Sequence, residues 1–239
     1  MRRRTGAVVV MATLKGGSGK TTAAACLAAH CQLGGLSAVL IDADPQASLL
    51  HWRSLGDPPL DLTIVADTSE SVARLARELA EDAHLVIIDT AGFRNRTMIE
   101  ALSVADLAVI PIKASPLDIS AAIETVRLIE EVNATEERRA RPMDYRLLLT
   151  QVTVGSAVAK HVRAELVQSG YALFDAELAN RVVYAEASIV GRMPAHLDVQ
   201  SAAARDGEQF TREVRRALGL TTTELTLSAE VVDSPTARV

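Results

Sequence analysis

Short, continuous apolar runs alternate along this chain with segments of helical length, and that alternation constrains the fold more than any other feature. Residues 7–13 (AVVVMAT) are β-branched and unbroken, and the run is too short for a buried helix, so it reads as a strand covered on both faces. The same reasoning places strands at 37–41, 62–65, 84–89, 107–112, 145–150 and 171–174. Helices are predicted at 20–33, 69–81, 97–104, from Pro116 to about Val132, at 156–169 and at 202–218. Ser115 followed by Pro116 is an N-cap with proline at the first helical position, whereas 133–142 is charged and loop-like. Strands apolar throughout, with helices between them, give a single α/β domain: a mostly parallel, twisted sheet with helices on both faces. Residues 7–218 form that domain, 1–6 a short N-terminal extension, and 219–239, which lack helical periodicity, a disordered tail.

Composition removes several function classes. With 49% hydrophobic and 23% charged residues, the 239-residue chain has the balance of a soluble globular core. No apolar run approaches the roughly 18 residues needed to cross a bilayer. The basic start, Met1-Arg2-Arg3-Arg4, precedes an apolar run too short for a secretory signal, so a cytoplasmic location is expected. Cys26 and Cys31 are too few for a disulfide scaffold, and the histidines are scattered without zinc spacing. Aromatic residues at 3% leave little for stacking on single strands, and a net charge of −5 requires any DNA contact to come from a local patch.

One bias points to chemistry. Of 25 basic residues only Lys15, Lys20, Lys113 and Lys160 are lysine, yet two of these share one glycine-rich loop. Lysine is a narrow point charge that enters a tight backbone cradle, where the planar arginine fork does not. The loop, Leu14-Lys15-Gly16-Gly17-Ser18-Gly19-Lys20-Thr21-Thr22, follows a strand and opens a helix. Its glycines let the backbone N–H groups turn inward as an anion nest at a helix N-terminus. Lys20 can reach the β and γ phosphates of a nucleotide, and the Thr21 hydroxyl can ligate Mg²⁺. The pattern G-x-x-x-x-G-K-[ST] is not met strictly, because Leu14 stands where glycine belongs and Lys15 precedes the paired glycines.

Here the sequence resembles the ParA/MinD family of deviant Walker A P-loop ATPases, whose loop reads KGGxGK[ST], over roughly residues 7–218. The resemblance implies ATP and Mg²⁺ as cofactors, held by Lys15, Gly16, Gly17, Ser18, Gly19, Lys20, Thr21 and Thr22. It further implies that Lys15 crosses a homodimer interface to the partner's nucleotide, making Lys15 and Lys20 catalytic. Asp42-Ala43-Asp44-Pro45-Gln46 ends a strand, where parallel sheets bind ligands. On residues alone, Asp before Pro equally starts a turn. The family's D-x-D-P-Q motif assigns Asp44 to the attacking water and Asp42 to support of the Mg²⁺ shell and the switch. Asp89, ending the apolar strand Leu85-Val86-Ile87-Ile88-Asp89, fits a Walker B carboxylate that holds Mg²⁺ opposite Thr21, and Ala91-Gly92 a mobile turn sensing the γ-phosphate.

The segment Pro111-Ile112-Lys113-Ala114-Ser115-Pro116-Leu117-Asp118 resembles the plasmid and chromosome partition branch. That branch implies slow, partner-stimulated ATP hydrolysis, a ParB-like centromere-binding partner, nonspecific double-stranded DNA binding by the ATP dimer, and nucleoid association. Arg181, Arg205, Arg212, Arg215 and Arg216 are the candidates for DNA phosphates, although residues 205–216 sum to only +1 once Asp206, Glu208 and Glu213 are counted. A solvated helical face explains them equally well. The tail has one arginine and no apolar stripe, which speaks against a membrane anchor. Cys26 and Cys31, five apart within the first helix, read as packing residues. Thr150-Gln151-Val152 and Met193-Pro194 are candidates for an adenine pocket, with plain loops as the alternative. Two further readings stand beside partition: a ParA-like ATPase that positions a protein cargo, and an ATP-dependent synthase of the dethiobiotin type.

Overall fold

A computed structural model describes residues 6–58 and 60–220. Its seven strands are β1 (Ala7–Met11), β2 (Ala38–Ala43), β3 (Thr63–Ala66), β4 (Leu85–Thr90), β5 (Leu107–Ile112), β6 (Asp144–Val152) and β7 (Leu173–Ala179). All pair in parallel, in the order β3-β2-β4-β1-β5-β6-β7. The helices are α1 (Lys20–Leu33), α2 (Ser48–Ser54), α3 (Val72–Leu79), α4 (Arg96–Val104), α5 (Pro116–Asn133), α6 (Glu136–Arg139), α7 (Ala157–Gln168), α8 (Val182–Ile189), α9 (Pro194–Leu197) and α10 (Ala202–Ala217).

The apolar runs conceal a period of two. Val8, Val10, Val86, Ile88, Ala108 and Ile110 face a layer built by α3, α4, α5 and α7. Their alternates Val9, Met11, Leu85, Ile87, Leu107 and Val109 face α1, α2 and α10. Both faces of each central strand are therefore dry, which is why the sequence shows no polar alternation. In the second layer α1 lies deepest: Ala23 to Ala29 are all buried, so small side chains bring it close to the sheet. α10 crosses it at Gly207, where a Cβ would stand only 2.5 Å from Cys26 Sγ. Cys26 and Cys31 are free, buried thiols pushed up to about 12 by that burial, as packing residues would be. Phe174 and Phe210 meet edge to face at 5.3 Å behind them.

After β1 the chain moves toward β2; after β4 it crosses to β5 on the other side of β1. The reversal opens a crevice at the carboxyl ends of β1 and β4, the ligand position in open parallel sheets. The structure also departs from the expected elements. α2, α8 and α9 were not anticipated, and α6 is one helical turn inside the stretch read as loop. β1 stops at Met11 because Ala12 and Thr13 already lead into the loop, and β7 extends to Ala179. Leu220 packs on the α10 layer. Of the tail expected over 219–239, residues 221–239 lie, like residues 1–5, outside the described residues.

Candidate functional site

The loop between β1 and α1 is gripped from outside. Thr150 Oγ1 donates to the Ser18 carbonyl at 2.6 Å, and Gln151 Nε2 donates to the Gly17 carbonyl at 3.1 Å. Gly17 (φ 70°) and Gly19 (φ 95°) take the left-handed conformation that favours glycine. Gly19 caps α1 with no side-chain bond, which leaves the first-turn amides of the helix free to face an anion. The β4–α4 turn presses on the loop from the side: a Cβ at Gly92 would lie 2.7 Å from the Gly16 nitrogen. Lys20 is 6% exposed, with Nζ 3.2 Å from the Lys15 carbonyl. Burial lowers its pKa, and the charges of Asp89 and Asp44 work against that.

Two carboxylates face each other in the sheet, since Asp42 on β2 pairs in register with Asp89 on β4. Asp89 accepts the Thr21 hydroxyl at Oδ2 (2.7 Å), while its Oδ1 is buried with no hydrogen-bond partner. Burial pushes this carboxyl up to about 7; the Thr21 bond and the Lys20 charge oppose the rise, and Asp42 and Asp44 add to it. An acid beside a hydroxyl, with one oxygen orphaned in a dry site, suits a divalent cation. Asp42 does something else with its oxygens. Oδ2 accepts the amides of Leu49 (3.0 Å) and Leu50 (3.2 Å), and so caps α2 from six residues upstream. The residue at the N-cap position, Ala47, has φ 50° and offers no cap itself. The Asp42 hydrogen bonds thus go to the start of α2.

Asp44 lies just beyond, its Oδ1 accepting the Gln46 amide at 2.9 Å. Together with Gly16, Gly17, Lys20, Thr21, Gly92 and Gln151 it borders a cavity of about 610 Å³. Beside that cavity Thr150 and Gln151 line a cleft of about 230 Å³ with Leu178, Asn180 and Tyr184. Met193, the other adenine candidate, faces a different cleft, of about 450 Å³, with His51 and Trp52, so the two candidates do not share a pocket.

Lys15, expected to reach out to a second copy, bonds within its own chain. Its Nζ lies 2.6 Å from Oδ2 of Asp118, in the first turn of α5. Lys113, at the end of β5, also reaches the loop: its Nζ is 4.0 Å from where a Gly17 Cβ would stand. Sequence reasoning gave Lys113 and Asp118 no place in the site, only in a branch resemblance, and named Thr150 and Gln151 for adenine and not for this grip. The scarcity of lysine was the one signal that pointed to Lys113; Gln151, a left-handed non-glycine residue at φ 53°, left none. The arginine candidates are partly neutralised: Arg181 forms a two-pronged pair with Asp206, and Arg212 pairs with Glu208. Arg205 donates to the Gln200 carbonyl, and Arg216 is exposed.

Comparison with known proteins fits this geometry. Over 182 residues the chain is 31% identical to Protein ParA of Rhizobium radiobacter, covering 74% of this chain and 80% of that protein. It is 28% identical to the maintenance of carboxysome distribution protein A of Halothiobacillus neapolitanus, across 83% of this chain and 91% of that one. The septum site-determining protein MinD of Pyrococcus horikoshii, solved in complex with Mg-ADP, superposes with a TM-score of 0.68 at 14% identity, over 90% of this chain and 98% of the other. Residues 9–207 match the CobQ/CobB/MinD/ParA nucleotide binding domain. With its single parallel α/β domain and deviant phosphate loop, this chain belongs to that ParA/MinD family of nucleotide-binding ATPases.

Proposed function

We propose that the chain is a ParA-type switch in which bound ATP joins two copies and hydrolysis separates them. The observation that supports this most is the Thr21–Asp89 pair, with its orphaned Oδ1, beneath a loop whose carbonyls are tied outward and whose amides are left for phosphate. In this reading the amides of Gly16 to Thr22 and the Lys20 ammonium hold the triphosphate, and Thr21 and Asp89 hold Mg²⁺. Magnesium held by these two residues would supply charge neutralisation to the phosphates during transfer. Asp44, at the border of the same cavity, orients the attacking water. Asp42 sets the position of Asp44 by fixing α2 and the turn before it. Lys15 supplies an ammonium to the nucleotide of the second copy. Phosphoryl transfer relies on position and charge stabilisation, so these few groups suffice for slow turnover that a partner accelerates.

The dimer binds double-stranded DNA without sequence preference, through phosphate contacts from Arg205, Arg216 and their copies, and a ParB-like protein triggers release from the nucleoid. No helix among the described residues is long and apolar enough to cross a membrane. Likeness to the carboxysome distribution protein supports a second reading, in which the same cycle positions a protein assembly through a cargo adaptor. Turnover measured with and without DNA tests the proposal. DNA-stimulated hydrolysis, with DNA binding that needs ATP and weakens steeply as salt rises, is the expected result. ATP turnover indifferent to DNA, together with salt-insensitive binding, contradicts it.

A further inference from the structure

Asp118 carries more than its place in α5 explains. It is 4% exposed, and Oδ2 takes both the Lys15 ammonium at 2.6 Å and the Ser115 hydroxyl. Its Oδ1 is buried and accepts no hydrogen bond. Burial alone would raise the Asp118 pKa; the bonds from Lys15 and Ser115 and the charges of Lys15 and Lys113 outweigh it and leave the carboxyl ionised below its ordinary range. Two lysines thus act on one buried carboxylate, but only Lys15 bonds to it. Lys113 is half-buried at the lip of the phosphate loop and forms no ion pair among the described residues.

This arrangement creates a problem for the switch proposed above. A buried carboxylate stripped of its counter-ion is strongly destabilising. If Lys15 leaves for the nucleotide of a second copy, Asp118 loses its one bonded cation while staying inside the fold. We propose that Lys113 is the replacement counter-ion, swinging from the lip of the phosphate loop onto the free oxygen of Asp118 as Lys15 departs. Lys113 begins five residues before Asp118, across the Ser115–Pro116 bend, and its flexible four-carbon stem suits a short swing of this kind. The exchange keeps the carboxylate paired throughout and lowers the cost of freeing Lys15. It rests on the reading that Lys15 acts between copies.

Sedimentation of the full chain with MgADP and with the slowly hydrolysed analogue MgATPγS tests it, alongside nucleotide titration. Lys113→Ala is expected to bind MgADP as the wild type does, yet to dimerise with MgATPγS about tenfold more weakly. Asp118→Asn, which keeps the shape and removes the charge, is expected to dimerise at least as tightly as the wild type. Adding it to Lys113→Ala is expected to restore dimerisation, a rescue that simple loss of packing does not give. The inference is overturned if Lys113→Ala dimerises normally, if it loses MgADP binding, or if Asp118→Asn fails to rescue it. A wild-type chain that binds MgATPγS but stays monomeric removes instead the two-copy reading on which the inference stands.

Discussion

Asp89, proposed to hold Mg²⁺, carries a stability cost that depends on pH. Burial pushes its pKa up to about 7, above the ordinary 3.8, so between these values the folded state holds a proton that the unfolded chain releases. Stability from this group is therefore fully present below about pH 4, declines as pH rises toward 7, and is absent above it. Asp89→Asn removes the penalty. Without nucleotide or metal, the variant is expected to melt higher than the wild type at pH 8, by the equivalent of at most about 4 kcal/mol, and to match it near pH 4. Melts of chelator-treated protein at the two pH values check this, and a variant that melts lower at pH 8 refutes it. The same substitution is expected to abolish Mg²⁺-dependent nucleotide binding, which makes Asp89 a group kept at the expense of the empty fold. A second residue stores strain: Ala47 at φ 50° sits where glycine is comfortable. Ala47→Gly is expected to raise stability by about 0.5–1 kcal/mol in denaturant titration, and a loss of similar size would show that the turn is not strained.

Among the elements, α2 is the most dependent on distant help. Its amides at Leu49 and Leu50 close on Asp42, in a different element, so removing that carboxylate leaves buried donors unsatisfied. Asp42→Ala is expected to cost about 1–3 kcal/mol and to speed amide exchange at Leu49 and Leu50 while the amides of α10 stay protected. Uniform exchange across both helices would contradict this. The same dependence explains why α2 was not legible in the sequence. Its own N-cap position holds Ala47, and its apolar face amounts to Leu49 and Trp52. By contrast α1 and β5 match their predicted limits residue for residue, because a glycine turn, an alanine run and an unbroken LAVIPI segment are local signals. β7 was read too short because Asp175 and Glu177 interrupt its apolar run; their strand positions alternate with the buried Phe174, Ala176 and Leu178.

Across the whole molecule, what was legible followed from local order and what was missed followed from topology. Unbroken apolar runs separated by helical segments are local patterns, and they implied the parallel sheet, while an acid at a strand end pointed to its crevice. That Asp42 pairs in register with Asp89, or that Lys15 finds Asp118 at a separation of 103 residues, depends on strand order, which the sequence does not display. The proposed two-copy cycle belongs to this scale as well. Asp44→Ala is expected to bind MgATP and remain dimeric for far longer than the wild type, with turnover reduced about a hundredfold or more. Light scattering over time with MgATP checks this, and wild-type turnover would remove Asp44 from its proposed role.

The central claim is that the loop around Lys20 grips a nucleotide triphosphate, and calorimetric titration of MgATP into the wild type and into Lys20→Ala tests it most directly. Saturable heat with one nucleotide per chain in the wild type, and none in the variant, is the expected result. No heat in the wild type, or equal heat in both, would contradict the account.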